Sequence, residues 1–248
     1  MLMCLLKPAR GPMTLIRSSE NLHQEAHQVM IQWNENVINN SYLQYYKILE
    51  AGNNVGGFIV GDSGVGYQVC ERIWIEPANM RRGIGTRSFQ LVGDKYPKAY
   101  LWVLCTPEWN VRTKPFYENL GFVQIGITRE YSQWNGRYYQ KKIRDRIPRA
   151  ISEIGELHEN QQRVIVEGRI QSLSQPRKVY SRKKEKELMV AEASLRNHTG
   201  AIMLVLWNDQ IRQVDDDSNV RILEGYVKSY RDELQLSIGK WGSIIILL

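Results

Sequence analysis

Ile73-Trp74-Ile75-Glu76-Pro77-Ala78-Asn79-Met80-Arg81-Arg82-Gly83-Ile84-Gly85-Thr86 decides how the first half of this 248-residue chain is read. An apolar strand meets a proline-marked turn, and the turn opens a helix with two glycines at its start. The first N–H groups of a helix have no intrahelical partner and the dipole there favours negative charge, so glycines that admit a ligand make a phosphate cradle. Arg81 and Arg82 put positive charge beside those donors. Phe89, Val92 and Tyr96 follow at helical spacing and predict a buried helix face. The spacing is not G-x-G-x-x-G and no P-loop lysine follows, which disfavours dinucleotide and nucleoside-triphosphate sites.

Downstream, Ala99 to Cys105 reads as a buried strand, followed by Asn110 and then Pro115-Phe116-Tyr117-Glu118-Asn119-Leu120-Gly121-Phe122. From Ile75 to Phe122 the chain resembles the GNAT superfamily of N-acetyltransferases, whose pyrophosphate loop reads Q/R-x-x-G-x-G/A and whose later helix carries N…FYxxxGF. The resemblance extends less sharply from Thr14 to Ile143. It implies direct acetyl transfer from acetyl-CoA to an amine, with no covalent enzyme intermediate; no metal is expected. It also implies that the backbone of Arg82, Gly83, Ile84, Gly85 and Thr86 holds the pyrophosphate, with Met80 and Arg81 completing the loop. Ile73 and Ile75 would lie on a splayed central strand with free backbone donors. Tyr117 would be the general acid and Asn110 a contact to the pantetheine arm or to the helix of Tyr117. Met80 departs from the family's Gln or Arg. Glu71, on the strand leading to Ile75, is the candidate general base.

The chain carries a formal charge of +7, with 18 basic against 12 acidic residues in 1–147 and 15 against 14 thereafter. A positive field favours anionic partners without choosing among them. Cys4, Cys70 and Cys105 form no C-x-x-C pair, which argues against a disulfide framework or structural zinc and predicts a reducing, cytoplasmic setting. No apolar run reaches the length of a membrane helix, so no membrane partner is expected.

Around Pro148 the stretch YYQKKIRDRIPRAISEIGE loses periodicity and gathers charge, which marks a junction. The expected organisation is α+β. It comprises a flexible extension over 1–12, a domain over 13–146 for which the GNAT resemblance implies an α/β fold with a mixed central sheet, and an all-β barrel over 147–248. In the last segment, alternation puts Val164, Val166 and Ile170 on one face, then Ile202, Leu204 and Leu206, then Leu234, Leu236 and Ile238. Trp207 lies opposite Leu204 and Leu206, while Tyr226, Lys228 and Tyr230 share a face opposite Val227. Rings stack on bases and lysines neutralise phosphates.

From Ile151 to Leu247 the pattern, including Thr199-Gly200, Leu206-Trp207-Asn208-Asp209 and Leu234-Gln235-Leu236-Ser237-Ile238-Gly239, resembles archaeal single-stranded-DNA-binding OB domains. That resemblance implies base stacking by Trp207, Tyr226 and Tyr230 and a backbone grip by Arg177, Lys178, Arg182, Lys183 and Lys184. Asn197 and His198 depart from the acidic pair usual there. Met203 and Val205 make the same face apolar, which also suits a protein contact.

The expected partners are therefore acetyl-CoA, single-stranded DNA or RNA, and a nucleic-acid-associated acceptor. The alternatives are a non-catalytic nucleic-acid-binding protein with a degenerate acetyl-CoA domain, and a small-amine acetyltransferase whose OB domain makes a dimer.

Overall fold

Strands β1 (Leu43–Glu50) and β2 (Asn53–Asp62) form a hairpin whose two turn residues, Ala51 and Gly52, have φ of 50° and 82°, as a two-residue turn matched to strand twist requires. The computed structural model describes residues 43–62, 66–129, 135–143, 151–181 and 185–248, with the side chains of Lys240 and Trp241 left aside. The extension over 1–12 and the junction at 146/147 lie outside these residues. The chain divides into two compact units, one ending at Leu104 and the other beginning at Cys105.

In the first unit, β2 is the central strand. Phe58, Ile59 and Val60 are fully buried, with β1 on one edge and antiparallel β3 (Tyr67–Ile75) on the other. β3 then pairs parallel with β4 (Leu101–Pro107). A parallel pair needs a crossover, and α1 (Ile84–Asp94) supplies it. This helix buries Ile84, Ser88, Phe89 and Val92. The Phe89 ring stands edge-on to Phe58 at 4.7 Å, and Trp102 closes the cluster at 6.3 Å from Phe89. Tyr96 falls beyond the helix, with its hydroxyl 3.0 Å from that of Tyr46. Burial and that contact push its phenol well above the ordinary range.

The second unit holds α2 (Thr113–Asn119), the hairpin β5 (Val123–Arg129) with β6 (Asn135–Lys142), and then β7 (Gln162–Gln171), β8 (Arg177–Ser181), β9 (Lys186–Asn197), β10 (Gly200–Trp207), β11 (Asn219–Tyr230) and β12 (Glu233–Leu247). Pairings run β7–β9–β10–β12–β11 and back to β7, so the ladder returns to its start. A sheet that closes leaves no long open edge and encloses one core. Val164, Val166, Ile170, Leu195, Ile202, Leu204, Leu206, Ile222, Leu236 and Ile238 fill it. Leu234 was expected there too but is 38% exposed, because it precedes the first β10–β12 pair, Met203↔Gln235.

Strand β12 outruns the ring. Its last residues pair antiparallel with β5, Ile246 opposite Ile127 and Leu247 opposite Gly126, and the Leu248 N–H donates to the Ile125 carbonyl at 3.0 Å. Gly126 makes this approach feasible, since a Cβ there would sit 2.3 Å from the Ile246 carbonyl oxygen. The buried Arg221 ties the same region, donating from Nε to Glu167 at 2.6 Å and from Nη1 to Gln140 of β6 at 3.1 Å. These bonds explain why residues after Cys105 gather with the ring. No helix among the described residues is long and apolar enough to cross a membrane.

Candidate cofactor turn and aromatic sheet face

The β3–α1 turn, expected to cradle a phosphate, is built on two left-handed residues. Arg81 and Gly83 take positive φ, 61° and 73°, and Gly83 is the N-cap of α1 with no side chain capping it. The first N–H groups of this 11-residue helix therefore have no side-chain cap from the residue before them. Met80 is exposed, at 53%. The charge beside the cradle differs from the expectation: Glu50 of β1 holds Arg82 at 3.2 Å and Arg87 at 3.3 Å. Arg82 also donates to Asn79, and Arg87 to the Arg82 carbonyl, so the cations brace the loop as well as charging it.

The strand before the turn pairs with β4 over its first residues. β3 meets β4 at Tyr67↔Leu101, Gln68↔Trp102 and Val69↔Val103, and Cys70–Ile75 run on past the last of these partners. Arg72 faces Ile59 while Cys70 faces Val60, which leaves Glu71, half-buried, as the extra residue of a bulge. The Glu76 N–H donates to Val55 of β2 at 2.9 Å. Residues of an antiparallel ladder alternate in the side to which they bond, so the N–H groups of Ile75 and Ile73 aim away from β2.

In the second unit, α2 buries Tyr117 against Phe116, Phe122 and Tyr139, with ring centroids at 5.1, 6.1 and 6.1 Å. The turn before it is fixed at Asn110. Its carbonyl accepts from the Thr113 N–H at 3.3 Å, the Thr113 hydroxyl at 2.9 Å and Arg137 Nη2 at 2.9 Å. Tyr139 is fully buried, and its hydroxyl has no partner among the described residues. Burial pushes its phenol up, against a smaller opposing effect of Arg137. Tyr139→Phe removes an unsatisfied buried hydroxyl and is expected to leave stability unchanged or raise it by about 1 kcal/mol, read as a higher thermal midpoint. A clear loss of stability would show that the hydroxyl has a partner.

On the ring of strands, register places the expected aromatics on one outer face. Val205 lies opposite Ser237 and Ser237 opposite Tyr226, while Gln235 lies between Met203 and Lys228, and Tyr230 faces Glu233. Trp207 stands two residues beyond Val205 on β10 and, like Tyr226, is half-buried. Tyr230 is 54% exposed with the Arg231 guanidinium 5.3 Å from its ring centre. Beside them runs a shallow groove of about 610 Å³ lined by Ser172, Glu192, Ser194, Met203, Glu233 and Leu234 among others. Residues 157–246 match the family described as single-stranded DNA binding protein Ssb-like, OB fold.

Over these residues the chain is similar to that OB-fold family.

Among solved structures, the chain is similar to the replication factor A related protein from Methanobacterium thermoautotrophicum, at 20% identity over 41% of this chain and 96% of that one, TM-score 0.35. It is also similar to the ribosomal-protein-S18-alanine N-acetyltransferase from Escherichia coli, at 16% identity over 51% and 90%, TM-score 0.41. A third is the acetyl transferase from Salmonella typhimurium that modifies the N-terminal serine of ribosomal protein L7/L12, at 17% identity over 49% and 76%, TM-score 0.42. A search of curated proteins returned no match.

The cations expected to grip a nucleic-acid backbone on the OB domain divide. Arg182, Lys183 and Lys184 lie outside the described residues. Arg177 is paired with Glu192 at 2.9 Å and Lys178 with Glu187 at 3.2 Å, so each must exchange a carboxylate for a phosphate. Sequence reasoning passed over Glu50, Arg87, Arg137, Gln235 and Ser237. Only the alternation of β12, which sets Gln235 and Ser237 opposite Leu236, carried a signal for any of them. No group of three His, Cys, Asp or Glu among the described residues is placed to hold a metal.

Proposed function

We propose that this chain is an acetyl-CoA-dependent N-acetyltransferase, with residues 13–146 as its transfer module and 147–248 as an OB module that binds single-stranded nucleic acid and brings the enzyme to its acceptor. The observation that carries the reading is the combination at β3 and α1: a strand whose pairs with β4 end at Val69↔Val103, leading through an αL-Arg, αL-Gly turn into a helix that no side chain caps at its N-terminus. The residues present fit acetyl-CoA. The N–H groups of Arg82 to Thr86 suit a pyrophosphate, and those of Ile73 and Ile75 suit the amides of an extended arm.

Bound there, acetyl-CoA supplies an activated acetyl group. The chain's own part is to orient it, to accept the acceptor amine's proton at the Glu71 carboxylate, and to release a proton from the Tyr117 hydroxyl to the departing sulfur. Asn110 holds the arm or the start of α2. Tethering by the OB module raises the acceptor's local concentration with no new contact in the transfer site. Incubation with labelled acetyl-CoA and a cell extract, with and without nuclease, tests the whole reading. Label should appear in protein or nucleobase amines and fall after nuclease, whereas no incorporation at all removes it.

On the OB module, Trp207, Tyr226 and Tyr230 stack on bases while Lys228 meets phosphate, each stacked base contributing roughly 1–3 kcal/mol. An oligothymidine is expected to quench tryptophan fluorescence, with a log–log salt slope of about −0.7 for each phosphate contact. Trp207→Ala should abolish most of the quench. A second reading has support in the ion pairs of Arg177 and Lys178 and in the apolar Met203: a protein partner on the same face, for which quenching would be absent even at low salt.

A further inference from the structure

Arg137 of β6 connects two parts of the second unit that the proposed chemistry treats separately. Its Nη2 donates to the Asn110 carbonyl at 2.9 Å, in the turn that opens α2 and leads to Tyr117. That carbonyl also takes the Thr113 N–H and hydroxyl, and Thr113 lies 3.1 Å from Thr106 at the end of β4. The guanidinium thus closes a small network that fixes the Asn110 backbone at the turn into α2. A charged donor on a carbonyl is stronger than a neutral one, and a planar guanidinium holds direction as well as distance.

Arg137 is itself held from behind. Its cross-strand partner on β5 is Ile127, and the partner of Ile127 on its other side is Ile246, at the end of the OB domain's last strand. The row Ile246–Ile127–Arg137 therefore runs from the barrel's terminal strand to the Asn110 turn. Fold stability alone gives a poor account of the arginine. Its Nε is buried with no partner among the described residues, a cost that an apolar side chain would not carry.

We propose that Arg137 is a positioning residue for acetyl-CoA, orienting Asn110 from a strand that the OB domain's carboxy-terminal strand buttresses. The inference rests on the acetyl-CoA reading above. It does not make Arg137 a group that touches the acetyl carbon. It predicts a defect in cofactor affinity and not in the rate of the chemical step.

The test compares the full chain with Arg137→Met and Arg137→Lys, by calorimetric titration with acetyl-CoA and by thermal unfolding. Arg137→Met is expected to weaken acetyl-CoA binding by about tenfold, equivalent to about 1.4 kcal/mol. Its thermal midpoint should stay at or above that of the unaltered chain, and Arg137→Lys should recover part of the affinity. Unchanged affinity in Arg137→Met, or a loss of affinity matched by a fall in the midpoint in both variants, overturns the positioning role while leaving the acetyl-CoA reading intact. If the unaltered chain takes up no acetyl-CoA, the reading itself fails and the role falls with it.

Discussion

Gly126→Ala is expected to detach β5 from the end of β12. The added Cβ would stand 2.3 Å from the Ile246 carbonyl oxygen and 2.7 Å from Ile245 Cγ2, and the first of these is backbone, which has no rotamer by which to move aside. Overpacking of this kind costs roughly 1–3 kcal/mol, enough to shift a marginal strand pair almost entirely to its open form. Hydrogen exchange reads the result. Amides of β5 and β6 should lose protection while those of β9, β10 and the first half of β12 keep theirs, because the ring's own pairings do not involve β5. Full protection of β5 in the variant would mean that the observed β5–β12 pairing is not what holds this edge.

Tyr117→Phe is expected to lower acetyl transfer by about 10²–10⁴-fold at saturating acetyl-CoA, the range over which a positioned general acid acts. The ring packs on Phe116, Phe122 and Tyr139, and phenylalanine keeps those contacts, so binding and thermal stability should change little. Steady-state kinetics with a labelled acetyl group separates the two quantities. A fall in turnover with KM unchanged is the signature of a group that acts only in the transition state. Full turnover in Tyr117→Phe would return the residue to the role of a packed aromatic.

How far the sequence was legible follows from the range of each interaction. The Gly83–Gly85 entry to α1, the buried Phe89 and Val92, and the alternating cores of β7 and β10 are local patterns, in which a period of 3.6 or 2 is printed directly in neighbouring residues. Leu234 shows the limit of that logic. Alternation assigns it the same face as Leu236, but only register with β10 tells where the barrel's layers begin. Arg82 could be read as a phosphate-seeking cation because its partner Glu50 lies on β1, far from the turn in sequence. The pairing of Ile127 with Ile246 joins strands far apart in the sequence, and no periodicity in either one carries it. The bulge at Glu71 is equally silent, since it consists of a register shift against Ile59 and Val60 and not of a residue type.

The most direct measurement for the account as a whole is a calorimetric titration of the full chain with acetyl-CoA, and in parallel with S-acetylpantetheine, which keeps the acyl arm and lacks the pyrophosphate. One acetyl-CoA is expected to bind per chain with a dissociation constant on the order of 1–100 μM, and S-acetylpantetheine to bind more weakly by at least about tenfold. Equal affinity for the two ligands, or no binding of acetyl-CoA, would contradict the assignment of the β3–α1 turn as its phosphate cradle.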